Sequence, residues 1–270
     1  MPSTVLITGA SQGIGKATAR LFAHHGYNLV LAARQSDRLE AVAEELQQLG
    51  CSALPVSTDV RQPDQVHALV ETALTHYGSI DVLVNNAGIY ISGPVEQFSL
   101  EDWHQTIDTN LWGYIHTVHA LLPHLLTQGK GIIVNVGSIG GKTAIPYLIP
   151  YTTSKFAVAG FTQALHSELA PKGIQVCGIY PNLIKSDFLE RAIFQGQDAE
   201  DIESRQEQIK QVLRLPGVEK PEDVAQAIWS AVAHPRLEVL VGTANLTAAV
   251  DRLFPDLTQW VMRNVFKHKG

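Results

Sequence analysis

Cysteine is scarce in this chain. Cys51 and Cys177 are the only two in 270 residues, and neither falls in a C-x-x-C or Cys/His spacing. A disulfide framework and a zinc site are thereby excluded as organising features, and reduced thiols in a cytoplasmic setting are expected. Histidine is not scarce, but none of the 11 stands in an H-E-x-x-H or similar ligand pattern. His24-His25, His76 and His234 read as helix-end or surface residues, and no metal is expected. No run of about 18 apolar residues occurs, which excludes a membrane-spanning helix. The first residues enter an apolar strand pattern at Val5 without a charged leader or small-residue cleavage site, so secretion by that route is not expected. Charged residues are only 17% of the chain, its net charge is -6, and Lys/Arg-dense stripes are missing. Nucleic acid is therefore not an expected partner, because phosphate binding relies on clustered positive charge.

What is present is a hydrophobic content of 45%, enough for a large core. Short apolar runs, Val5-Leu6-Ile7, Leu29-Val30-Leu31-Ala32, Val82-Leu83-Val84, Ile132-Ile133-Val134, Ile174-Gln175-Val176 and Val239-Leu240-Val241, alternate with longer amphipathic segments. Continuous apolar runs suit strands covered on both faces. Between them, residues 37–49 place Leu39, Val42, Ala43, Leu46 and Leu49 at helical spacing. The alternation predicts an α/β fold: one domain over 1–270, a doubly wound, Rossmann-like parallel sheet with helices on both faces. One stretch breaks the rhythm. Residues 183–217 are polar, rich in Gln and Glu, and end at Leu215-Pro216-Gly217. Because Pro221-Glu222-Asp223 then opens another helix before a strand near 238–242, this stretch reads as an insertion within the domain, a candidate substrate lid.

Thr8-Gly9-Ala10-Ser11-Gln12-Gly13-Ile14-Gly15 follows the first strand directly and opens a helix-like run. In that context Gly9 allows a tight turn, Gly13 lets backbone approach a pyrophosphate, and Gly15 permits close helix packing. The helix N-terminus offers free N–H donors to the anion. The loop, including Ser11 and Ile14, is therefore a candidate dinucleotide site.

The spacing T-G-x-x-x-G-I-G resembles the short-chain dehydrogenase/reductase family. Further matches follow in family order: Asp59-Val60, Asn85-Asn86-Ala87-Gly88, Ser138, and Tyr151-Thr152-Thr153-Ser154-Lys155. The resemblance implies that Asp59 and Val60 contact the adenine and that Asn86, Ala87 and Gly88 pack against the adenosine side, while Asn85 ties strands together. It implies a catalytic set of Tyr151, Lys155, Ser138 and Asn110, with Lys155 also holding the nicotinamide ribose and Asn110 fixing a water for proton relay. Pro181-Asn182-Leu183-Ile184-Lys185-Ser186 is similar to the family's Pro-Gly segment beside the nicotinamide, with Ile184 and Ser186 as cofactor contacts. Asn182 replaces glycine there, and asparagine tolerates a positive φ better than most residues. Homodimers or homotetramers are the assemblies the resemblance implies.

An acidic residue at the end of the second strand would bind the ribose 2′-hydroxyl of NAD, but Ala33 occupies that place. Arg34 follows, and its guanidinium suits a 2′-phosphate. The bland alternative is a surface arginine capping the next segment. NADP is the expected cofactor, with NADPH preferred over NADH. The position before the middle glycine, often basic in NADP-preferring relatives, is Gln12, so an incomplete preference is foreseen.

Tyr151 and Lys155, four apart on a helix, share one face. A free tyrosine has a pKa near 10, and bringing it near 7 takes about 4 kcal/mol of phenolate stabilisation. The neighbouring ammonium has the right sign, and an oxidised nicotinamide adds more. Tyr151 is thus the candidate general acid and base, and Ser138 the group that polarises the substrate oxygen. Ile89, Tyr90 and Ile91, Gly140 through Ile149, and the lid with Leu183, Phe188 and Leu189 are expected to bound an apolar pocket. The expected reaction is hydride transfer between the cofactor and an apolar ketone, aldehyde or secondary alcohol. An NADP-responsive binding protein and a sugar-nucleotide epimerase are the alternatives; the intact Tyr/Lys/Ser/Asn set argues against the first and the short C-terminal region against the second. Finally, residues 245–266 carry Leu246, Ala249, Val250, Leu253, Leu257, Trp260, Val261 and Val265, an amphipathic series broken near Pro255 and followed by Lys267-His268-Lys269. A core-packing or subunit-interface role is the expectation, with contact to a membrane surface as the alternative.

Overall fold

The computed structural model describes residues 2–185, 192–213 and 218–265. The expectations for Ser186, Phe188, Leu189, Leu215-Pro216-Gly217 and Lys267-His268-Lys269 lie outside the described residues. In chain order come β1 (Thr4–Thr8), α1 (Gly13–His24), β2 (Asn28–Ala33), α2 (Ser36–Gln48), β3 (Ala53–Ser57), α3 (Pro63–Tyr77), β4 (Val82–Asn85), β5 (Ile91–Ser92) and α4 (Leu100–Ile107). The second half holds α5 (Gly113–Gln128), β6 (Gly131–Val136), α6 (Ile149–Leu169), β7 (Ile174–Tyr180), β8 (Ile193–Phe194), α7 (Ala199–Leu213), α8 (Pro221–Ala233), β9 (Glu238–Leu240), α9 (Ala244–Leu253) and α10 (Pro255–Val265).

Seven strands form one parallel sheet in the order β3-β2-β1-β4-β6-β7-β9. The period of two along each strand divides its side chains between two cores. Val5 and Ile7 of β1 face Phe22, Leu39 and Ile228 from α1, α2 and α8, while Leu6 faces Leu69, Leu121 and Leu125 from α3 and α5. Helices therefore cover both faces, as the continuous apolar runs require. Pro55, which cannot donate to a ladder, sits in β3 at the edge of the sheet, where that loss is tolerated.

Inside the sheet, Asn85 joins strands through its side chain. Its amide donates to Asn135 Oδ1 (3.0 Å) and its Oδ1 accepts from Thr117 Oγ1 (2.6 Å), while Asn135 Nδ2 donates to Thr162 Oγ1 (2.9 Å). These polar groups are buried and fully engaged, so they tie β4, β6, α5 and α6 in one register. The strand order runs to one side from β1 through β3 and to the other from β4 onward, which opens a crevice at the carboxyl ends of β1 and β4.

Among the described residues of 183–217, β8 pairs with β5 and α7 follows. One part of the sequence reading needs correction. The C-terminal series splits at Phe254 into α9 and α10, as Pro255 predicts, but it does not pack its apolar stripe into the core. Leu246, Val250, Leu253, Leu257, Trp260 and Val261 are exposed, because Ala244 and Thr258 are the buried residues of these helices and take the inner positions instead.

Candidate active site

The glycine loop is shaped by what it must approach. Gly9 (φ 66°) and Gly13 (φ 53°) adopt left-handed backbone that other residues resist. A side chain at Gly9 would meet Asn86 Nδ2 at 2.9 Å and the Ala87 Cα at 3.0 Å. A side chain at Gly15 would run into the carbonyl of Gly9, so this glycine lets α1 close on the loop. Asn86 and Ala87 are pinned in turn: both backbone amides donate to Thr8 Oγ1 (3.0 and 3.1 Å), and Asn86 Nδ2 donates to the Thr8 carbonyl (2.9 Å). The first turn of α1 has no side-chain cap and no acidic residue, leaving its N–H donors and positive dipole end for an anion.

A cavity of about 840 Å³ runs from this loop across the carboxyl ends of the strands. Gly9, Ser11, Gly13, Ile14, Arg34, Asp59, Val60, Asn86, Ala87 and Gly88 line one end; Ser138, Tyr151, Lys155 and Ile184 line the other. Near the first end, Asp59 is held by Arg61, whose Nη2 lies 2.6 Å from Oδ2. Burial pushes the Asp59 carboxyl up, but the hydrogen bonds and charge of Arg61, with the charge of Arg34, bring it below its usual value. Gln12 does more than leave a cation out. Its Oε1 accepts from Arg38 Nη1 (3.0 Å), so a second guanidinium is tied to the loop. The signal available in sequence was a cation in the first turn of α2, where the helix dipole disfavours it.

At the other end, Tyr151 and Lys155 come from the first turns of α6, and Ser138 from the turn after β6. The Gly140 amide donates to Ser138 Oγ (3.1 Å), which leaves the serine proton free to point elsewhere, and Ser138 and Tyr151 line the same cavity. Lys155 Nζ donates to the Val136 carbonyl (3.0 Å), which also accepts from Tyr114 (2.9 Å), and lies 5.8 Å from the Tyr151 ring centroid. Asn110 sits in a π-helical turn, Asp108–Trp112, behind the cavity wall. Its Oδ1 accepts from the Ile89 amide (2.8 Å), and its Nδ2 donates to the Ile89 carbonyl and to Ser154 Oγ (both 3.0 Å). Ser154 in turn donates to the Tyr151 carbonyl (2.6 Å). The four predicted residues are thus brought together, three on the cavity and Asn110 bracing the turn behind them.

A profile of the short chain dehydrogenase family matches residues 3–198. The chain belongs to that family. Over 268 residues it is 32% identical to an uncharacterized oxidoreductase of Bacillus subtilis, spanning 98% of this chain and 72% of that one. Over 234 residues it is 36% identical to an oxidoreductase of Staphylococcus saprophyticus, spanning 86% of this chain and 90% of the relative. A short-chain dehydrogenase/reductase from Burkholderia phymatum, solved with NAD, superposes with a TM-score of 0.87 at 28% identity over 95% of both chains. An alcohol dehydrogenase from Thermococcus sibiricus, complexed with 5-hydroxy-NADP, superposes with a TM-score of 0.76 at 30% identity over 90% of this chain and 97% of its own. This short-chain dehydrogenase is accordingly an oxidoreductase of a family whose members bind NAD or NADP.

Its own residues fit such a dinucleotide. The glycine cradle would be filled by any Cβ, and Thr109 Oγ1, on the cavity wall, is buried without a hydrogen-bond partner. Other expectations are modified. Ile91 packs into a small core with Leu148 and Tyr151 rather than on the cavity, and Ile89 contributes its backbone to Asn110. Asn182 does not use positive φ: the only non-glycine among the described residues that does is Tyr147 (φ 61°), and Asn182 instead donates to Thr243 Oγ1 (2.8 Å). Ser92, Ile209 of α7, and Thr247 and Met262 of the C-terminal helices also line the cavity. No local pattern marks them, since they reach it only through the path of the chain.

The electrostatics of this dehydrogenase differ from the simple expectation for Tyr151. With the chain's own groups alone, burial pushes its phenol up, and the Ser138 hydrogen bond only partly opposes that. Lys155 moves the other way, from 10.5 to about 8, because burial penalises its charge. Below about pH 8 the folded chain holds an ammonium that the unfolded chain would hydrate. From about 8 to 10.5 the unfolded chain binds the extra proton, so stability rises with pH across that window. Lys155→Met removes the charge, and the Val136 carbonyl keeps Tyr114 as donor. In thermal denaturation the variant is expected to melt above wild type near neutral pH, with the gap closing from about pH 8 to 10.5. A variant that melts lower near neutrality would contradict this reading.

Proposed function

We propose that this short-chain dehydrogenase is an NADPH-preferring oxidoreductase of apolar ketones, aldehydes and secondary alcohols, with Tyr151 as its general acid and base. The observation that carries the proposal is that Ser138, Tyr151 and the buried Lys155 share one cavity wall with the glycine loop and Arg34. When bound, the nicotinamide supplies or accepts the hydride. The protein's part is the proton. Ser138, steadied by Gly140, donates to the substrate oxygen as negative charge grows there, and Tyr151 delivers its phenolic proton to that oxygen. A phenol kept protonated by burial is suited to the reductive direction. Lys155 holds the ribose hydroxyls and supplies the positive charge that favours the phenolate once the proton has left. Arg34 and the Gln12-steadied Arg38 hold the 2′-phosphate, with Ala33 adding no competing carboxylate.

Substrate enters under residues 192–213, which act as the lid. Three contacts support that role: Gln195 donates to both Asp102 oxygens (3.0 and 3.1 Å), Arg205 lies 5.0 Å from the Tyr147 ring centroid, and Ile209 lines the cavity. The wall mixes apolar groups such as Ile145, Pro146 and Leu148 with the hydroxyl-bearing Tyr90, Ser92 and Thr143. A carbonyl on a largely hydrocarbon body, with one further polar group, suits that lining. The test is NADPH oxidation with a panel of aliphatic, aromatic and cyclic ketones and aldehydes. Turnover that rises with the apolar size of the substrate is expected. Tight NADPH binding with no turnover on any member would favour the binding-protein alternative and overturn the proposal.

A further inference from the structure

Ser138 stands at the head of a short 3₁₀ turn, Ile139–Gly141, that is held on several sides. The Gly137 amide donates to the Ile179 carbonyl (2.7 Å) and the Ile139 amide to the Pro181 carbonyl (2.8 Å), which ties the turn to the end of β7. Beside it lies α6. A side chain at Gly141 would meet the Lys155 carbonyl oxygen at 2.5 Å, so glycine is what lets the turn lie against the helix that carries Tyr151 and Lys155. Within the turn, the Gly140 amide donates to Ser138 Oγ (3.1 Å), the Gly141 amide to the Ser138 carbonyl (2.9 Å), and the Lys142 and Thr143 amides to the Ile139 carbonyl (both 2.9 Å). Every amide from Ile139 to Thr143 is therefore engaged.

The last anchor is a side chain for which the chemistry above has no use. Lys142 closes the turn and reaches over β7 to β9, where its ammonium donates to Glu238 Oε1. On the way it passes 4.1 Å from the centroid of the Tyr180 ring. That ring has its own place fixed by two glycines, since side chains at Gly137 and Gly178 would come within 2.7 and 2.6 Å of it. Gln163, two turns beyond Lys155 on α6, donates to the same Glu238 oxygen (2.8 Å). One carboxylate thus gathers the serine turn, the edge strand and α6. Only 16% of the Lys142 side chain and 29% of the Glu238 side chain are exposed, so this pair is screened less than an ordinary surface pair.

We propose that Lys142 and Glu238 are positioning residues: their ion pair clamps the serine turn against α6 and so fixes Ser138 relative to Tyr151. This role rests on Ser138 acting on the substrate oxygen as proposed above. Neither residue lines the cavity. A misplacement of ~1 Å in a group that must meet developing charge can lower a rate about 10²-fold, so a clamp outside the cavity can govern kcat. Cofactor affinity is left largely alone, because the glycine loop and Arg34 lie at the other end.

The test combines amide hydrogen exchange of the full chain with steady-state kinetics. Lys142→Met keeps an unbranched stem over Tyr180 and removes the charge; Glu238→Gln keeps an acceptor for Gln163. In each, the amides of 139–143 are expected to exchange at least about tenfold faster than in wild type, with the melting temperature and the exchange of β1 nearly unchanged. A fall in kcat of about tenfold or more is expected, with KM for NADPH within about twofold of wild type. Lys142→Arg retains the charge and the ring contact and is expected to restore both readouts. The double variant Lys142→Met, Glu238→Gln is expected to fall no further than either single one, because the pair acts as a unit. In a Ser138→Ala background, Lys142→Met is expected to lower kcat no further. Unchanged exchange of the turn in Lys142→Met overturns the proposal without any substrate being needed. So does a loss that multiplies undiminished with that of Ser138→Ala, since the pair would then act on something other than the serine. Undiminished turnover in Ser138→Ala would remove the role of the serine itself, whereas a fall there with wild-type kcat in Lys142→Met overturns the positioning role alone.

Discussion

Tyr151→Phe is expected to lower NADPH-coupled turnover by about 10²–10⁴-fold while NADPH binding stays near wild type. The substitution removes one oxygen. The ring keeps its packing against Tyr90, whose centroid lies 5.3 Å away, and the Ser138 hydroxyl keeps the Gly140 amide as donor. What disappears is the proton that must reach the substrate oxygen as the carbon receives hydride. Water does not replace it well, because Tyr151 and Lys155 are both almost wholly buried. The measurement is steady-state turnover together with NADPH affinity by fluorescence titration. A fall in kcat with unchanged cofactor affinity fits proton transfer; retained turnover would remove Tyr151 from the chemistry, and loss of both would point to a collapsed site.

The second large effect concerns the cofactor. Arg34→Ala combined with Arg38→Ala is expected to lower kcat/KM for NADPH at least about hundredfold while leaving NADH within a few-fold of wild type. Each charge-assisted bond to a phosphate is worth about 1.5–3 kcal/mol, and two of them exceed the 2.7 kcal/mol or so that a hundredfold change requires. Gln12→Ala leaves both cations in place but releases Arg38 from its 3.0 Å hydrogen bond. Its expected effect is a smaller rise in KM for NADPH. Equal losses for NADPH and NADH in the double variant would mean that the arginines merely shape the adenine end, and the NADP preference would have to be abandoned.

Much of this was legible in the residues because it depends on short range. The glycine loop, the Tyr151-Lys155 pair and the strand cores are set by spacing along one element, and a period of two or of 3.6 reports burial directly. The loss at Ala33 is likewise readable as a residue type in a fixed place. Arg38 was not singled out, because what brings it to the glycine loop is a hydrogen bond to Gln12 across a gap of 26 positions. Ile209, Thr247 and Met262 reach the cavity from three different helices, and nothing local distinguishes them from ordinary helix residues. The C-terminal stripe shows the opposite failure. Its periodicity was plain, but periodicity gives the width of an apolar face and not the direction in which the fold turns it. The Tyr151 phenol follows the same logic: the nearby lysine was evident from spacing, while the degree of burial that outweighs it belongs to the packed structure.

The strand order β3-β2-β1-β4-β6-β7-β9 bears on how the chain comes off the ribosome. β2 pairs with β1, β3 with β2, β4 with β1, β6 with β4, β7 with β6 and β9 with β7. Every strand of the sheet after the first therefore meets a partner that has already been made. Growth can proceed in the direction of synthesis, with each new strand adding to an edge already made, and the second side of β1 staying open only until β4 arrives. Such an order shortens the time for which an apolar parallel edge stands open to other nascent chains. It also leaves the last edge to β9, a strand of only three residues, too short to template much further pairing.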